Sequence, residues 1–407
     1  MAFFKRTIKD VPIEGKIVLV RADYNVPLTK DGAISDDLRI KASLPTLQYL
    51  LDRKCTVVVM SHLGRPEGKD PSQSLTPVAE RLSELLGKAV IFVDDCVGDA
   101  VAQAVKKAPA GSVILLENLR YYPEEEANDE TFAQQIAKST GARYFVQDGF
   151  GVVHRAHAST EAITHFIPSV SGLLLEREFV TITNAMEKPE RPLVAIMGGA
   201  KVSDKITVIE RFVGIADRIV IGGAMANTFL KYKGYPVGKS KLEDGQEPVL
   251  DGVYTAAHEK VPNHADDFLM LPSDVAVGSE ISDTATRRNV LLNDVGGNDI
   301  ILDVGDTAIE SIAEVVRGAK TVIWNGTLGY AELPEFSHGS ARLALELATH
   351  PEITSIIGGG DTADFALKWD GGSGESFTHV STGGGASLDL MAGKKLPGVE
   401  SLLDAAR

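Results

Sequence analysis

Ile356-Ile357-Gly358-Gly359-Gly360-Asp361-Thr362-Ala363-Asp364 is the stretch from which the rest of the chain can be read. The apolar run Thr354 to Ile357 predicts a short buried strand. Three glycines turn the chain, and a helical pattern follows from Thr362 to Trp369. A strand–glycine–helix turn lets backbone N–H groups approach an anion, with the positive end of the helix dipole behind them. Asp361, in the middle of that turn, is the wrong charge for a phosphate alone. It suits a phosphate that arrives with Mg2+, an ion that takes few protein carboxylates beside phosphate oxygens. One such stretch could be a tight turn that merely needs glycine. Here the device recurs along the chain.

The 407 residues are too many for one core, so two domains are expected. A net charge of −15 argues against general nucleic-acid binding, so any anion site must be a local concentration of basic groups. No apolar run approaches the length of a membrane span, and no apolar run follows Lys5 and Arg6 as a secretory leader would require. Cys55 and Cys96 are too few for a disulfide framework or a zinc site. Sparse thiols fit a reducing compartment, which makes a cytoplasmic protein the expectation.

Short β-branched runs alternate with amphipathic segments, the pattern of a parallel sheet covered by helices. In the first half the strands are expected at Ile17–Val20, Thr56–Met60, Val90–Val93, Val113–Leu116 and Tyr144–Val146. Ile40, Leu44, Leu47 and Leu51 share a helix face, with Pro45 marking its first turn or a kink. Basic side chains follow the strand ends: Arg21 with Asp23 and Asn25; His62 and Arg65; Arg120; then Arg155. Arg39 begins the first helix. Ligands of open α/β sheets bind outside the carboxyl ends of the strands. Arginines there, in an acidic protein, imply a small, multiply anionic ligand.

A helical pattern from Ser171 to Lys188, ended by Pro189 and Pro192, is the expected domain boundary. The expected division is residues 1–172, a connecting helix 173–188, residues 189–392, and a tail 393–407 packing back on the first domain. In the second half strands are expected at Leu193–Met197, Arg218–Ile221, Thr321–Trp324, Thr354–Ile357 and His379–Ser381. Phe268–Leu271 and Val290–Leu292 are read as additions at the sheet edge. Glycines now follow the strand ends: Gly198-Gly199, Gly222-Gly223, Gly326, Gly358 to Gly360 and Gly383 to Gly385. They let backbone approach a bulky phosphorylated ligand. Lys201 is expected to open a helix, with Lys205 one turn on and on the same face. Two lysines at a helix start oppose the dipole, which points to a phosphate between them.

Some resemblances lead nowhere. Gly358-x-Gly360-x-x-Ala363 fits a loose dinucleotide fingerprint but lies near the chain's end, far from the first βα unit; a nicotinamide-dependent dehydrogenase would rest on it alone. Gly234 to Ser240 is one residue short of a phosphate-binding loop and contains Pro236. One half of the chain therefore offers arginines for a small anion, and the other offers glycines, lysines and Asp361 for a nucleotide with Mg2+. Phosphoryl is the group both sites suit.

The segments Arg21-Ala-Asp23-Tyr-Asn25, Ser61-His62-Leu-Gly-Arg65-Pro, Gly198-Gly-Ala-Lys201-Val-Ser-Asp-Lys205, Trp324-Asn325-Gly326, Gly358-Gly-Gly-Asp361-Thr and His379-Val-Ser-Thr-Gly-Gly-Gly-Ala-Ser-Leu stand in the order of the phosphoglycerate kinase family. The chain resembles that family from Arg21 to the Leu396-Pro-Gly-Val tail. The resemblance implies a monomer of two Rossmann-like αβα domains with parallel sheets. It implies the glycolytic, Mg-dependent transfer of phosphoryl from 1,3-bisphosphoglycerate to ADP, giving 3-phosphoglycerate and ATP, in line and after hinge closure. By motif, Arg21, Asp23, Asn25, Arg39, His62, Arg65, Arg120 and Arg155 would hold the phosphoglycerate. Lys201, Lys205, Gly222, Asn325, Gly359, Gly360 and Thr362 would contact the nucleotide, Glu332 its ribose, and Asp361 the metal. Arg39, Lys201, Gly360, Gly383 and Gly384 would act on the phosphoryl in transit. The family's usual Trp-Asn-Gly-Pro is Trp-Asn-Gly-Thr327 here, followed by Gly329-Tyr330-Ala331-Glu332, which bears on nucleotide affinity. A non-catalytic sensor of the same fold is the alternative; the charges it would be expected to lose, at Arg39, Lys201 and Asp361, are all present.

Overall fold

The structure, a computed structural model, describes residues 3–405. The chain forms two compact units. One runs to Val180 and is rejoined by the chain from Lys395; the other is Thr181–Lys394. The division falls inside the helix Leu173–Glu187.

The first unit is built on β1 (Ile17–Arg21), β2 (Thr56–Met60), β3 (Val90–Val93), β4 (Val113–Leu116), β5 (Tyr144–Gln147) and β6 (Ser169–Ser171), in the order β3-β4-β2-β1-β5-β6. Every pairing is parallel. The continuous apolar run of β2 follows from burial on both faces. Val57 and Val59 join one core with Val18 and Val20, while Val58 and Met60 join a second with Leu19 and Ile114. Successive side chains leave opposite faces of a strand, so the two cores lie on the two sides of the sheet. Each fully buried Val or Leu contributes roughly 1.5–3 kcal/mol. From β1 the chain moves to β2 on one side, and β5 pairs on the other. That makes the ends of β1 and β5 the switch point where such sheets bind ligands. The chain beyond Lys395 packs on this unit: the Gly398 N–H donates to the Val153 carbonyl and the Leu403 N–H to that of Ser169.

The second unit contains β7 (Leu193–Met197), β8 (Arg218–Ile221), β9 (Leu269–Met270), β10 (Asp274–Gly278), β11 (Arg288–Leu291), β12 (Ile300–Val304), β13 (Thr321–Asn325), β14 (Thr354–Gly358) and β15 (His379–Val380). Its main sheet has the order β15-β14-β13-β7-β8-β9, again all parallel. The switch point lies between β7 and β13, the strands that lead into Gly198 and Gly326. β9 takes the expected edge position. The segment around Val290 does not: β11 joins a separate three-stranded antiparallel sheet, β11-β10-β12. Val275 and Val277 of β10 pack with Leu230 and Ile301, whereas β11 is largely exposed. An antiparallel sheet tolerates one solvated face, and a parallel edge between helices would not. Among the described residues no helix is long and apolar enough to cross a membrane.

Candidate active site

In the first unit Arg21, the last residue of β1, is buried. Its Nε donates to Ser159 Oγ at 2.7 Å, and Nη2 lies 3.2 Å from His62 Nδ1. Glu125, also buried, is 3.8 Å from Nη2 and accepts from the Ser159 hydroxyl and N–H. Burial works against charge on both partners, lowering the Arg21 pKa and raising that of Glu125. Arg21 therefore underlies the cluster, each of its three nitrogens already in a hydrogen bond. Burial also pushes His62 well below its ordinary pKa, with Arg21, Arg120 and Arg39 pushing the same way against Asp23. His62 is thus neutral at pH 7. Facing a guanidinium, which can only donate, its Nδ1 must accept, so Nε2 carries the proton.

Arg39 enters from the second residue of the helix Leu38–Asp52 and donates to Asp23 Oδ2 at 2.8 Å. Burial would raise the Asp23 pKa, but Arg39, Arg21 and the Asn25 N–H outweigh it and hold the carboxylate ionised. The Asn25 carboxamide accepts from the Gly64 N–H at 2.8 Å, fixing the loop after β2 to the loop after β1. Arg120 donates to the Gly64 carbonyl at 2.6 Å, and its buried Nε has no partner among the described residues. Burial lowers its pKa; Glu126, 3.2 Å from Nη2, and Glu125 pull it back up, while Arg155 and Arg65 push it down. Arg65 is exposed and Arg155 half-buried. Glu125 and Ser159 were not legible as site residues. Glu124-Glu125-Glu126 reads as solvated surface, and no local signal tells that the middle carboxylate is buried.

In the second unit Gly198 and Gly326 follow β7 and β13 and meet closely. A β-carbon on Gly198 would lie 2.1 Å from the Thr327 carbonyl oxygen, and one on Gly326 would lie 2.2 Å from that of Gly198. Only glycine allows this approach. Lys201 does not open a helix: the helix is Ile206–Ile215, and Lys205 is its N-cap residue. Ser203 has both its N–H and its hydroxyl bound by Glu243, which holds residues 203–205 as a turn. The two lysines consequently differ. Lys201 is exposed, whereas Lys205 Nζ turns inward to the carbonyls of Gly198 (2.7 Å) and Asn325 (3.1 Å). Burial pushes the Lys205 pKa down to about 8, with Asp361 and Asp204 pulling it back up.

The helices Gly360–Trp369 and Gly384–Met391 begin side by side; a β-carbon on Gly384 would lie 2.9 Å from the Gly360 nitrogen. Two sets of first-turn N–H groups, which lack intrahelical partners, therefore converge. Thr362 accepts from the Gly326 N–H at 2.7 Å, and the buried Asn325 Nδ2, beside Gly359, has no partner among the described residues. Asp361 is exposed on the first turn, close enough to Lys205 to act on its charge. Among the described residues no three His, Cys, Asp or Glu side chains cluster to hold a metal. A single carboxylate fits a cation that takes most of its ligands from phosphate and water, as Mg2+ does.

Next to these loops is a cavity of about 310 Å³. Gly199, Ala200, Thr327 and Asp361 line it, together with the apolar side chains of Pro272, Val275, Ile281 and Ile300. Glu332 and Tyr330, both exposed, also line it. Gly222 packs on Leu328 and does not line the cavity, while Gly223 and Ala224 do. Thr327 ties its hydroxyl to the Gly329 carbonyl at 3.0 Å, a local brace where the family's usual residue is proline. The apolar wall was missed in the sequence because it comes from the small antiparallel sheet and its connections.

A family model described as phosphoglycerate kinase matches residues 8–394. Phosphoglycerate kinase of Pelotomaculum thermopropionicum is 45% identical over 401 residues, covering 98% of this chain and 99% of the relative. That of Aquifex aeolicus is also 45% identical, with 98% of each covered. Among solved structures, phosphoglycerate kinase from Coxiella burnetii superposes with a TM-score of 0.83 at 35% identity, with 98% of each chain covered.

Proposed function

The chain belongs to the phosphoglycerate kinase family, phosphotransferases with a carboxyl group as acceptor, and from that premise we propose how its residues share the reaction. The acyl phosphate, 1,3-bisphosphoglycerate, binds over the basic cluster of the first unit. Asp23, Asn25, Arg39, His62, Arg65, Arg120 and Arg155 hold it, and Arg21 supports them from beneath. ADP occupies the cavity of the second unit, with Lys205, Asn325, Thr362 and the N–H groups of Gly359 and Gly360 on its phosphates and Glu332 on its ribose. The bond from phosphorus to the carboxyl oxygen breaks as a bond forms to the terminal oxygen of ADP. The products are a carboxylate and ATP, and the charges balance without a proton transfer. The work left to the protein is alignment, charge neutralisation and exclusion of water. Arg39, Lys201 and the converging N–H groups of Gly360, Gly383 and Gly384 stabilise the phosphoryl in transit. Mg2+ carried by the nucleotide neutralises its phosphate oxygens, and Asp361 is the residue that would hold it.

The observation that carries this reading is the crowding of like charge in the first unit. Arg120 is disfavoured as a cation by burial, and Arg155 and Arg65 add to that against the opposing pull of Glu126 and Glu125. An anionic ligand relieves that repulsion, and clusters of this kind mark functional sites. Because the two ligands belong to different units, transfer calls for closure about the helix Leu173–Glu187 and the loops beside it. The chain acts as a monomer in the cytoplasm on this reading, in keeping with its two buried free thiols. The test is a coupled assay with 3-phosphoglycerate and MgATP on the native chain and on Arg39→Ala. The substitution should lower kcat by on the order of 10²-fold or more, as loss of an electrostatic donor does. A raised KM with unchanged kcat would make Arg39 a binding residue only. Binding of both ligands without turnover would leave a sensor.

A further inference from the structure

The loop that carries Glu332 is fastened at both ends to β12. At its start the Tyr330 N–H donates to the Leu302 carbonyl at 2.7 Å, and a β-carbon on Gly329 would lie 2.3 Å from Asp303 Oδ1. At its end the Gly339 N–H donates to Asp303 Oδ2 at 3.1 Å. Between the two, Arg287 reaches across. Its side chain is 7% exposed, and that of Asp303 facing it is fully buried. Nη1 donates to Asp303 Oδ2 at 3.0 Å and to the Glu335 carbonyl at 3.2 Å. Nη2 donates to the Val304 carbonyl at 3.0 Å and to Asp306 Oδ1 at 3.2 Å. Glu332, three residues before Glu335, is exposed on the cavity, and its carboxylate has no hydrogen bond or ion pair among the described residues. Where that carboxylate stands is therefore set by the backbone that carries it.

We propose that Arg287 is a positioning residue for the nucleotide: by locking the turn at Glu335 onto β12, it sets the place at which Glu332 meets the ribose hydroxyls. The inference rests on the reading of this cavity as the nucleotide site, with Glu332 on the ribose. Arg287 itself touches no ligand. A buried ion pair seldom stabilises a fold more than an apolar pair of the same volume, so stability is a poor account of Arg287 and Asp303. A planar guanidinium adds direction, because its donors form a rigid fork. Four acceptors on that fork fix the distance from β12 to the turn after Glu332. A hydrogen bond between a carboxylate and a hydroxyl tolerates little error in that distance, since its strength falls steeply outside its preferred geometry.

The experiment is calorimetric titration of the full chain with ADP and with 2′,3′-dideoxy-ADP, both with Mg2+. The native protein should bind ADP at least about tenfold more tightly, the effect of losing hydrogen bonds to a charged group. Arg287→Lys keeps a cation beside Asp303 and loses the fork. In that variant the ratio of the two affinities should fall about threefold or more, with affinity for 3-phosphoglycerate unchanged. In a Glu332→Ala background, where the ratio is already lost, Arg287→Lys should not change it further. A purely structural Arg287 would weaken both nucleotides alike, so an unchanged ratio in a folded Arg287→Lys would overturn the proposal. So would a further loss in the Glu332→Ala background. If Arg287→Lys does not fold, Arg287→Met with Asp303→Asn, which leaves no unpaired buried charge, replaces it with the same expected fall. Equal affinities in the native protein would overturn the ribose contact, and this proposal with it, and leave the nucleotide site standing. Failure of both nucleotides to bind would overturn the reading of the cavity itself.

Discussion

At Lys205 an ammonium is turned away from solvent onto two carbonyls, and the neighbouring carboxylates compensate only part of the cost. Its pKa of about 8 leaves it cationic at pH 7 and losing its proton just above. The phosphates of a bound nucleotide would add the missing negative charge and raise that pKa. Between the free and bound values the complex then holds more protons than the free protein. Binding of MgADP at about pH 8.5 should therefore take up protons, and affinity should fall as pH rises above 8. Calorimetry in buffers of differing ionisation enthalpy reads the uptake directly. Lys205→Met should abolish it, and a native protein showing no buffer dependence at that pH would remove Lys205 from the phosphate site. Lys201, four residues earlier, is exposed and makes no such inward turn. The sequence does not separate the two, because i, i+4 spacing predicts one helix face for both, and the helix begins only at Ile206.

At the scale of elements, Asp148 secures the start of the helix Leu173–Glu187. It follows β5, and its Oδ1 accepts from the Leu174 N–H at 2.9 Å, while Oδ2 is buried without a partner among the described residues. Burial raises its pKa to about 6, against the bonds from Thr46, Leu175 and Leu174. A carboxyl group whose folded pKa is raised holds its proton in the native state after the unfolded chain has lost it. Its contribution to stability is full below about pH 4 and is lost as pH rises toward 6. Asp148→Asn keeps an acceptor for Leu174 and cannot ionise. The variant should gain on the native protein between about pH 4 and 6, by on the order of 1–3 kcal/mol, and hold that gain above. Denaturant melts across that range check it, and a constant difference at every pH would show that Asp148 is not the titrating group. Elements were legible where both faces are buried. Thr56–Met60 and Leu193–Met197 are continuous β-branched or apolar runs and form strands with those bounds. Ser169–Ser171 was illegible, because a short polar strand is held by backbone pairing to segments distant in sequence: β5, Arg6–Ile8 and Leu403. β10 and β12 were also missed, and with them the apolar wall of the cavity. Of the site, the loops at strand ends could be read because arginine and glycine are unusual there. Buried Glu125 could not, because a polar residue's burial is decided by chain segments distant in sequence.

For the whole molecule, the decisive constraint is that the proposed ligands belong to different units. In-line transfer needs the reacting atoms within roughly 3–3.5 Å, and an acyl phosphate left in water is hydrolysed. A permanently closed arrangement would satisfy both demands and prevent entry and release. The free protein should therefore be open and should close only when both sites are filled, by rotation at the helix Leu173–Glu187 and adjoining loops. A ligand can shift a conformational equilibrium only by its difference in affinity between the two states. Phosphoglycerate bound to the first unit alone, or MgADP bound to the second alone, touches little that closure changes, so each alone should shift it weakly. With both bound, Arg39 on one unit and Lys201 on the other would share the same phosphoryl group, a contact that only closure would supply. Small-angle scattering on the free protein, the two binary complexes and the ternary complex should give a smaller radius of gyration for the ternary complex alone. A radius unchanged across all four, in a sample that turns over substrate, would refute closure. A full decrease with one ligand would show that one unit's ligand already reaches the other.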